Sequence, residues 1–364
     1  MNTKWYSRRS RPELLISVLL FMTVEPVLGY GIDFRVYWNI PTFMCLKYNM
    51  SFENSTKSYG IIQNQHDDFR GDQISILYDP GDFPAILQNS SSGEYFYRNG
   101  GVPQRGNIAE HLEIFKQHVN ELIPDPKFRG LAVIDFESWR PTYRQNFGTL
   151  KPYKDLSEKI EKQRHPFRPE NRIQRDAERH FESAARRFME ETLRLGQKLR
   201  PNAAWGYYGL PYCFNGRSNS IESCPTHVQR ENMHLRWLFE SVDAVYPSVY
   251  LREQTPVQYR VPMVRGRIEE SKRLIRRLPL AVRPDILVYH RYLYTDTLKF
   301  LTESETFQVF KAIKDTGADG IVLWGSSDDL NTKEKCTNFN EYLFNILGPV
   351  ISSLQPTYSV QPIQ

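Results

Sequence analysis

The stretch that decides the fold is Gly130-Leu-Ala-Val-Ile-Asp-Phe-Glu-Ser-Trp-Arg-Pro141, an apolar run that ends in two acids. The run 130–136 has the length and the Val and Ile content of a buried β-strand. Asp135 and Glu137 are separated by one residue, so on a strand both side chains point to the same side and Phe136 points to the other. In a parallel barrel, the carboxyl end of such a strand faces the mouth where active sites lie.

Two carboxyl groups held this close cannot both ionise cheaply, so one pKa should rise. A carboxylic acid that stays protonated near the working pH can donate a proton to a leaving oxygen, which is the chemistry of glycoside cleavage. A structural role is equally compatible with the spacing: Asp135 would cap the next helix or pair with Arg140, and Glu137 would simply be solvated. Spacing alone does not decide between the two interpretations.

Short apolar runs alternate with longer amphipathic stretches along most of the chain. Besides 130–136, the predicted strands are 34–40, 73–78, 203–208, 244–250, 286–292 and 320–324. Helical spacing predicts helices over 108–122 and 178–199, a capping box at 302–305 opens another, and the charged stretch 151–175 is expected to be an excursion. Roughly seven strand–helix units predict an α/β fold, a closed TIM-like (β/α) barrel rather than an open sheet.

Aromatic residues stand at the ends of three other predicted strands. Tyr208, Tyr250 and Trp324 are the residues nearest those ends, and Ser326 follows the last one. Sugar rings stack their apolar C–H faces on aromatic rings, and tyrosine hydroxyls supply directed hydrogen bonds. We therefore predict that the three end residues line a site. The aromatic residues deeper in the strands are expected to be core: Trp205, Tyr207 and Tyr246.

The composition excludes several classes of protein. The chain has 364 residues, 40% of them hydrophobic and 13% aromatic, which is too apolar for a disordered chain. It has no series of apolar runs of about 18 residues, as a polytopic membrane protein would. The formal net charge of +5 permits an anionic partner but does not require one.

The first residues have the pattern of a secretory signal peptide. A basic start is followed by the nine-residue apolar core 14–22 and by modest side chains before a cleavage position near Gly29. A packed N-terminal helix or an uncleaved anchor is the alternative. We expect a signal peptide at 1–29, a single barrel domain at 30–350 and a flexible tail at 351–364. The mature protein would be secreted, with no membrane span and a net charge near +3.

Secretion also makes the four cysteines informative. Four thiols in an oxidising compartment suggest two disulfides, with three possible pairings. The favoured pairing is a local bond, Cys213–Cys224, and a long-range bond, Cys45–Cys336, that ties the start of the chain to its end, as a closed barrel allows. Three Asn-x-Ser/Thr triplets are candidate glycosylation sites: Asn49, Asn54 and Asn89.

Other motifs that carry chemistry are missing from the sequence. It has no CxxC pair and no HExxH helix, and its eight histidines are scattered without ligand spacing. It also lacks a GxSxG elbow, a P-loop and a GxGxxG turn after a strand. We therefore predict no metal, no cofactor and no nucleic-acid partner.

Six segments of the chain, in order, resemble the hyaluronidases of glycoside hydrolase family 56, most closely the bee-type venom branch. The resemblance extends over about 34–349. The segments are Trp38-Asn-Ile-Pro-Thr-Phe-Met-Cys45, Tyr78-Asp-Pro-Gly-Asp-Phe-Pro84, Asn99-Gly-Gly-Val-Pro-Gln104, Val133-Ile-Asp-Phe-Glu-Ser-Trp-Arg-Pro141, Phe188-Met-Glu-Glu-Thr192 and Leu323-Trp-Gly-Ser-Ser327.

This resemblance implies a distorted barrel of about seven strands and a hyaluronoglucosaminidase activity. Such an enzyme cleaves the β-1,4 N-acetylglucosaminide bonds of hyaluronan internally, by a retaining mechanism in which the sugar's own acetamido oxygen attacks. By resemblance, Glu137 is the general acid/base, Asp135 stabilises the acetamido group, and Tyr208 hydrogen-bonds near it. Tyr250 and Trp324 match pocket residues. The remaining matches are Arg140, which would hold the acid pair, and Ser326, which would bind substrate.

The resemblance also implies the favoured disulfide pairing. The acidic residues themselves argue against the related chitinases. The fuller acidic run of chitinases, DxxDxDxE, is interrupted here by Gly130 and Val133. Hyaluronan is the expected partner, chondroitin a further candidate, and a monomer is expected. The alternative is a catalytically weak or inactive glycan-binding or adhesion protein on the same barrel, because His290 and Arg291 stand near the position of a Tyr-Trp pair in the bee-type pattern.

Overall fold

All seven predicted strands are present in the computed structural model. It describes residues 34–89, 91–216 and 222–355, so the predicted signal peptide lies outside the described residues. Three further strands were not predicted: a two-residue strand parallel to the first, and an antiparallel hairpin of two short strands. In chain order the strands are β1 (Arg35–Asn39), β2 (Ile62–Gln63), β3 (Ile74–Tyr78), β4 (Ala85–Gln88), β5 (Tyr95–Arg98), β6 (Leu131–Asp135), β7 (Ala204–Tyr207), β8 (Ala244–Val245), β9 (Asp285–Arg291) and β10 (Gly320–Trp324).

The parallel strands form two sheets that together make the distorted barrel. One has the order β2-β1-β10-β9-β8 and the other β3-β6-β7. The first and last predicted strands are neighbours, with Arg35 opposite Gly320. A parallel bridge between Tyr208 and Tyr246 joins β7 to β8. Strand β8 is shorter than predicted because Pro247, which has no amide hydrogen, interrupts its ladder.

The seam between β2 and β3 is closed by a side chain instead of a strand ladder. The buried Asn64 amide donates to the Ile74 carbonyl at 2.9 Å and accepts from the Gln73 and Ile74 amides at 2.8 and 2.9 Å. Nearby, the Asn39 amide donates to the Phe69 carbonyl at 3.2 Å. These bonds satisfy backbone groups that a neighbouring strand would otherwise satisfy.

Side-chain alternation along the strands separates an inner core from an outer one. Leu131 and Val133 belong to a cluster inside the barrel, together with residues from β1, β3, β8, β9 and β10. Ala132, Ile134 and Phe136 belong to the larger cluster between strands and helices. The next inward position on β6 after Val133 is Asp135. Side-chain alternation therefore places the Asp135 carboxyl group directly above the apolar interior, at the barrel mouth.

The helices pack outside the strands. They are α1 (Phe43–Leu46), α2 (Glu53–Ser58), α3 (Ile108–Leu122), α4 (Lys151–Arg164), α5 (Glu170–Leu199), α6 (Thr226–Met233), α7 (Arg236–Phe239), α8 (Val257–Ile275), α9 (Glu303–Asp315), α10 (Lys333–Tyr342) and α11 (Gly348–Leu354). The prediction for α3 is confirmed at both ends, and the α9 capping box is formed by Thr302 and Glu305. The charged stretch 151–175, expected to be an excursion, contains α4 and the start of α5, because apolar residues inside it (Tyr153, Leu156, Ile160 and Ile173) give these helices a buried face.

Both predicted disulfides are present. Cys45–Cys336 spans 291 positions of the chain, and Cys213–Cys224 closes a local loop. The side chains of Asn49, Asn54 and Asn89 are exposed, as carriers of a glycan must be, and their modification remains a prediction.

The C-terminal boundary of the domain lies later than predicted. Residues 351–354 complete α11, where Ile351 and Leu354 are buried against the core, so they do not belong to a tail. The boundary moves because the apolar spacing of this short helix continues past residue 350. Among the described helices, none is long and apolar enough to cross a membrane.

Candidate active site

Four strand ends place their last inward-facing side chain at the barrel mouth. Tyr78 ends β3, Asp135 ends β6, Tyr208 follows β7 and Trp324 ends β10. Each stands two residues beyond an inward-facing position, so strand alternation alone brings them to one place. Tyr78 lies directly opposite Asp135 in the β3–β6 register. The structure therefore brings together residues that are far apart in the sequence.

Asp135 and Glu137 form a hydrogen-bonded carboxyl pair at this mouth. Burial, the charge of Glu137 and the shared hydrogen bond raise the pKa of Asp135 to about 8. Burial also raises the pKa of Glu137, although the bond from Asp135 and the charge of Arg140 oppose that rise. Glu137 is nevertheless exposed to the cleft. The pair therefore holds one proton up to neutral pH, as two like charges in contact must.

Arg140 lies beside the acid pair inside an aromatic cage. Its guanidinium is 5.1, 4.6 and 4.9 Å from the ring centres of Phe147, Tyr212 and Phe214. It also donates to the Gln145 carbonyl at 2.6 Å. Among the described residues, no ion pair joins it to either acid, so its charge acts on Glu137 through space. The alternative in which Asp135 pairs with Arg140 is not what the structure shows.

An aromatic wall completes one side of the site. Tyr250 stacks on Trp324, with ring centres 5.8 Å apart and planes inclined by 21°. The hydroxyls of Tyr208 and Tyr250 share a hydrogen bond, and Ser248 bonds to the same Tyr208 hydroxyl. Burial raises the pKa of both tyrosines, and the carboxyl pair raises that of Tyr208 further. Both hydroxyls consequently stay protonated and can act as donors. Trp205, Tyr207 and Tyr246 are buried, which confirms their assignment to the core.

Two residues of the site were missed by the sequence analysis, Tyr78 and Tyr289. The Tyr78 hydroxyl accepts a hydrogen bond of 2.8 Å from Nε1 of Trp324, and burial raises its pKa to about 12. Tyr289 packs edge-on against Tyr208, with ring centres 5.0 Å apart. Tyr78 could have been found, because it is the last residue of a predicted strand. Tyr289 lies within its predicted strand, where nothing distinguishes it from core.

His290 and Arg291, which depart from the bee-type pattern, lie in different surroundings. His290 is buried in the outer core, edge-on to Phe310 at 5.4 Å. Arg291 supports the site instead: its guanidinium lies 5.5 Å from the Trp324 ring and donates to both Asp329 oxygens at 2.7 and 2.9 Å. The departure at Arg291 therefore concerns the position of the Trp324 ring and not the acids Asp135 and Glu137.

Ser326 lies two residues after Trp324 and caps a short 3₁₀ turn. Its hydroxyl accepts from the Asp328 amide at 3.3 Å, and its own amide donates to Asp329 at 2.9 Å. A substrate contact by this hydroxyl remains a prediction. The residues that the structure describes contain no group of three or more His, Cys, Asp or Glu side chains that could hold a metal ion.

The fold and the site together define a class of protein. A (β/α) barrel whose mouth holds a singly protonated carboxyl pair beside aromatic rings has the arrangement of a glycoside hydrolase. Residues 23–359 match the profile of glycoside hydrolase family 56, described as Hyaluronidase. This match covers most of the chain, so the chain belongs to the hyaluronidase family.

Individual relatives agree with this assignment. The chain is 48% identical to hyaluronidase Tab y 2.0101 of Tabanus yao over 322 residues, which cover 88% of this chain and 92% of that one. It is 47% identical to the hyaluronidase of Apis mellifera, covering 88% and 84% of the two chains. The crystal structure of bee venom hyaluronidase in complex with a hyaluronic acid tetramer superposes with a TM-score of 0.85, covering 88% of this chain and 99% of that one. The predicted barrel and family are confirmed.

Proposed function

We propose that this protein is a secreted hyaluronidase, an endo-β-N-acetylhexosaminidase that hydrolyses β-1,4 N-acetylglucosaminide bonds of hyaluronan with retention. The observation that carries this proposal is the hydrogen-bonded pair of Asp135 and Glu137, which keeps one proton at the mouth of the barrel. The hyaluronic acid tetramer bound by the bee venom relative, 47% identical, supports the choice of substrate.

Glu137 is the general acid and then the general base. It is the exposed member of the pair, so the oxygen of a glycosidic bond in the cleft can reach it. The proton that the pair retains lies on Asp135 in the free enzyme, and it passes to Glu137 across their shared hydrogen bond and from Glu137 to the leaving oxygen, which leaves Asp135 as a carboxylate. After that transfer, the ionised Glu137 can take a proton from the water that completes hydrolysis. The Arg140 charge nearby favours this ionised form.

Asp135 and Tyr208 serve the substrate's acetamido group. In the first step the acetamido oxygen forms a bond to the anomeric carbon as the bond to the leaving oxygen breaks, and the acetamido group becomes positively charged. A carboxylate at Asp135 stabilises that charge where it develops. The Tyr208 hydroxyl, kept protonated by its raised pKa, donates a hydrogen bond that orients the group.

The aromatic wall binds the sugar rings. The stacked rings of Tyr250 and Trp324 offer a flat apolar surface for the C–H faces of a pyranose. Tyr78 holds Trp324 by its indole nitrogen. Ser326, two residues after Trp324, and Arg140, beside the acid pair, are proposed as polar contacts to the substrate. These features do not depend on one sugar epimer, so chondroitin is proposed as a second substrate.

The test compares the wild type with Glu137→Gln, which keeps the size of the side chain and removes the acid. We expect the variant to lose about 10²–10⁴-fold in kcat on hyaluronan, the usual contribution of a general acid. Glu121→Gln, at an exposed position of α3, serves as the matched control and should retain full activity. Polymer length is followed by size-exclusion chromatography. A wild type that binds hyaluronan without shortening it would favour the glycan-binding alternative.

Secretion, processing and oligomeric state are tested on the mature protein. If the signal peptide 1–29 is removed, N-terminal sequencing of the secreted protein will begin at Tyr30. Mass analysis before and after deglycosylation would show whether Asn49, Asn54 and Asn89 carry glycans, and light scattering should give a monomer. An intact N-terminus on a protein retained by cells would contradict this part of the proposal.

A further inference from the structure

An arginine-rich groove runs along the outer wall of the barrel, outside the cleft. We call it the arginine groove; it consists of two adjoining cavities of about 750 and 630 Å³ that share Arg175 and Arg179. Its arginines all come from the first seventeen residues of α5 or the turn before it: Arg168, Arg172, Arg175, Arg179 and Arg186. Nothing in the mechanism above uses these side chains.

The groove lies towards the mouth of the barrel. A helix that leads into a parallel strand runs antiparallel to it, so the N-terminal half of α5, which precedes β7, lies at the mouth end. Consistently, the Tyr143 amide, in the segment that follows the acid pair, donates to Glu182 of α5 at 2.9 Å. Pro141 and Thr142, directly after Arg140, also line the groove.

The groove has unused positive charge. Five arginines line it against three acids, Asp176, Glu178 and Glu182, and a fourth acid, Glu190, pairs with Arg186, which leaves a surplus of one positive charge. Arg179 is paired with Asp176 at 3.0 Å. By contrast, Arg172 and Arg175 are exposed and make no ion pair with any residue that the structure describes. These two guanidinium groups are available to an anion.

The groove also offers an aromatic surface. Trp237 lines it and is half-buried, and the Arg186 guanidinium lies 5.2 Å from the Trp237 ring. Arg186 is itself paired with Glu190 at 2.9 Å. The Trp237 face therefore supplies the apolar platform for the C–H groups of a uronic acid sugar, while the unpaired Arg172 and Arg175 supply the planar forks for its carboxylate.

The spacing of the arginines indicates a polymer with sparse, regular charge. Arg172, Arg179 and Arg186 are each seven residues apart, two helical turns or about 10.5 Å, roughly the length of a disaccharide. Arg172 is unpaired, whereas Arg179 and Arg186 would exchange Asp176 and Glu190 for a ligand carboxylate. The interspersed acids would repel a densely sulfated chain but can lie beside one that carries a single carboxylate for every two sugars. We propose that the arginine groove binds a segment of hyaluronan outside the cleft; this rests on hyaluronan being the substrate, as proposed above.

The test uses two charge-matched double variants of the full secreted protein. Arg172→Gln/Arg175→Gln removes the unpaired groove charges, whereas Arg187→Gln/Arg194→Gln removes two exposed charges from positions of α5 that do not line the groove. Each is assayed on long hyaluronan and on a short oligosaccharide that fills only the cleft. We expect the groove variant to raise KM for the long polymer by about 3- to 10-fold, the range for two exposed ion pairs, with KM for the short substrate unchanged.

The outcomes separate this proposal from the enzymatic one. Equal KM increases in both double variants, or an equal increase on the short oligosaccharide, would overturn the arginine groove as a distinct site. So would groove-dependent retention of heparin without retention of hyaluronan on affinity columns. Retention requires no cleavage, so a protein that retains hyaluronan through Arg172 and Arg175 but shortens none would support the groove while refuting the enzymatic function.

Discussion

Replacing Asp135 by Asn should stabilise the protein at neutral pH while damaging its activity. In the wild type at mildly acidic pH, the protonated Asp135 carboxyl is bonded to Glu137. An Asn amide has the same shape and can donate to the Glu137 carboxylate in the same way. The variant therefore reproduces the protonated pair at every pH, but it cannot supply the carboxylate that we assign to the acetamido step.

The sign of the effect follows from the raised pKa. Unfolded Asp135 ionises around 3.8, whereas folded Asp135 ionises at about 8. Between these values the folded state binds more protons than the unfolded state, so the wild type loses stability as pH rises. The shift sets an upper limit of about 6 kcal/mol, reached only above the folded pKa. Because Glu137 is exposed and solvent can rearrange, we expect a gain of about 2–4 kcal/mol for the variant at pH 7.5 relative to pH 4.5.

The assay is chemical unfolding of the wild type, Asp135→Asn and the surface control Glu121→Gln at both pH values. The free energy of unfolding of Asp135→Asn should exceed that of the wild type at pH 7.5 and approach it at pH 4.5, while the control follows the wild type at both. Equal destabilisation of Asp135→Asn at the two pH values would refute the reasoning, because it would show that folding does not raise the pKa of Asp135.

Two further predictions concern Trp324 and the disulfides. Tyr78→Phe removes the acceptor of the Trp324 indole, so KM for hyaluronan should rise about 2- to 10-fold with little change in kcat, the effect of one lost hydrogen bond; a drop in kcat alone would contradict this. Replacing both cysteines of Cys45–Cys336 with Ser should cost about 5 kcal/mol of stability and removal of the local disulfide about 3, since the longer loop loses more closure entropy; equal losses in calorimetry would refute that ranking.

Much of the site follows from the alternation of side chains along strands. The acids at 135 and 137 and the rings at 208 and 324 could be assigned to the barrel mouth because each stands at the end of a recognisable strand. Tyr289 could not, since its inward direction within the strand looks like ordinary core packing. The role of Arg140 also needed the structure, because its cage of three rings is assembled from segments up to 74 positions further along the chain.

The fold was predicted less completely where polar side chains or short elements shape it. The β4–β5 hairpin carries exposed Tyr95, Phe96 and Tyr97, so it shows no half-buried alternation to recognise. The helical start of α5 was obscured by its charges, since only Ile173 and Ala177 mark its buried face before 178. The use of the Asn64 amide in place of a ladder depends on contacts that no local pattern encodes.

The pairing of the first strand with the last has a consequence for biosynthesis. Strand β1 finds one of its partners only in β10, 285 positions later, where Arg35 meets Gly320. At about 5–20 residues per second, the ribosome needs roughly 15–60 s to supply that partner. During this time the edge of β1 that pairs with β10 has no partner strand, and Cys45 cannot form its disulfide with Cys336. We therefore expect nascent chains to depend on chaperone binding at β1, with the β1–β10 pairing and the long-range disulfide completed only after β10 and Cys336 have left the ribosome.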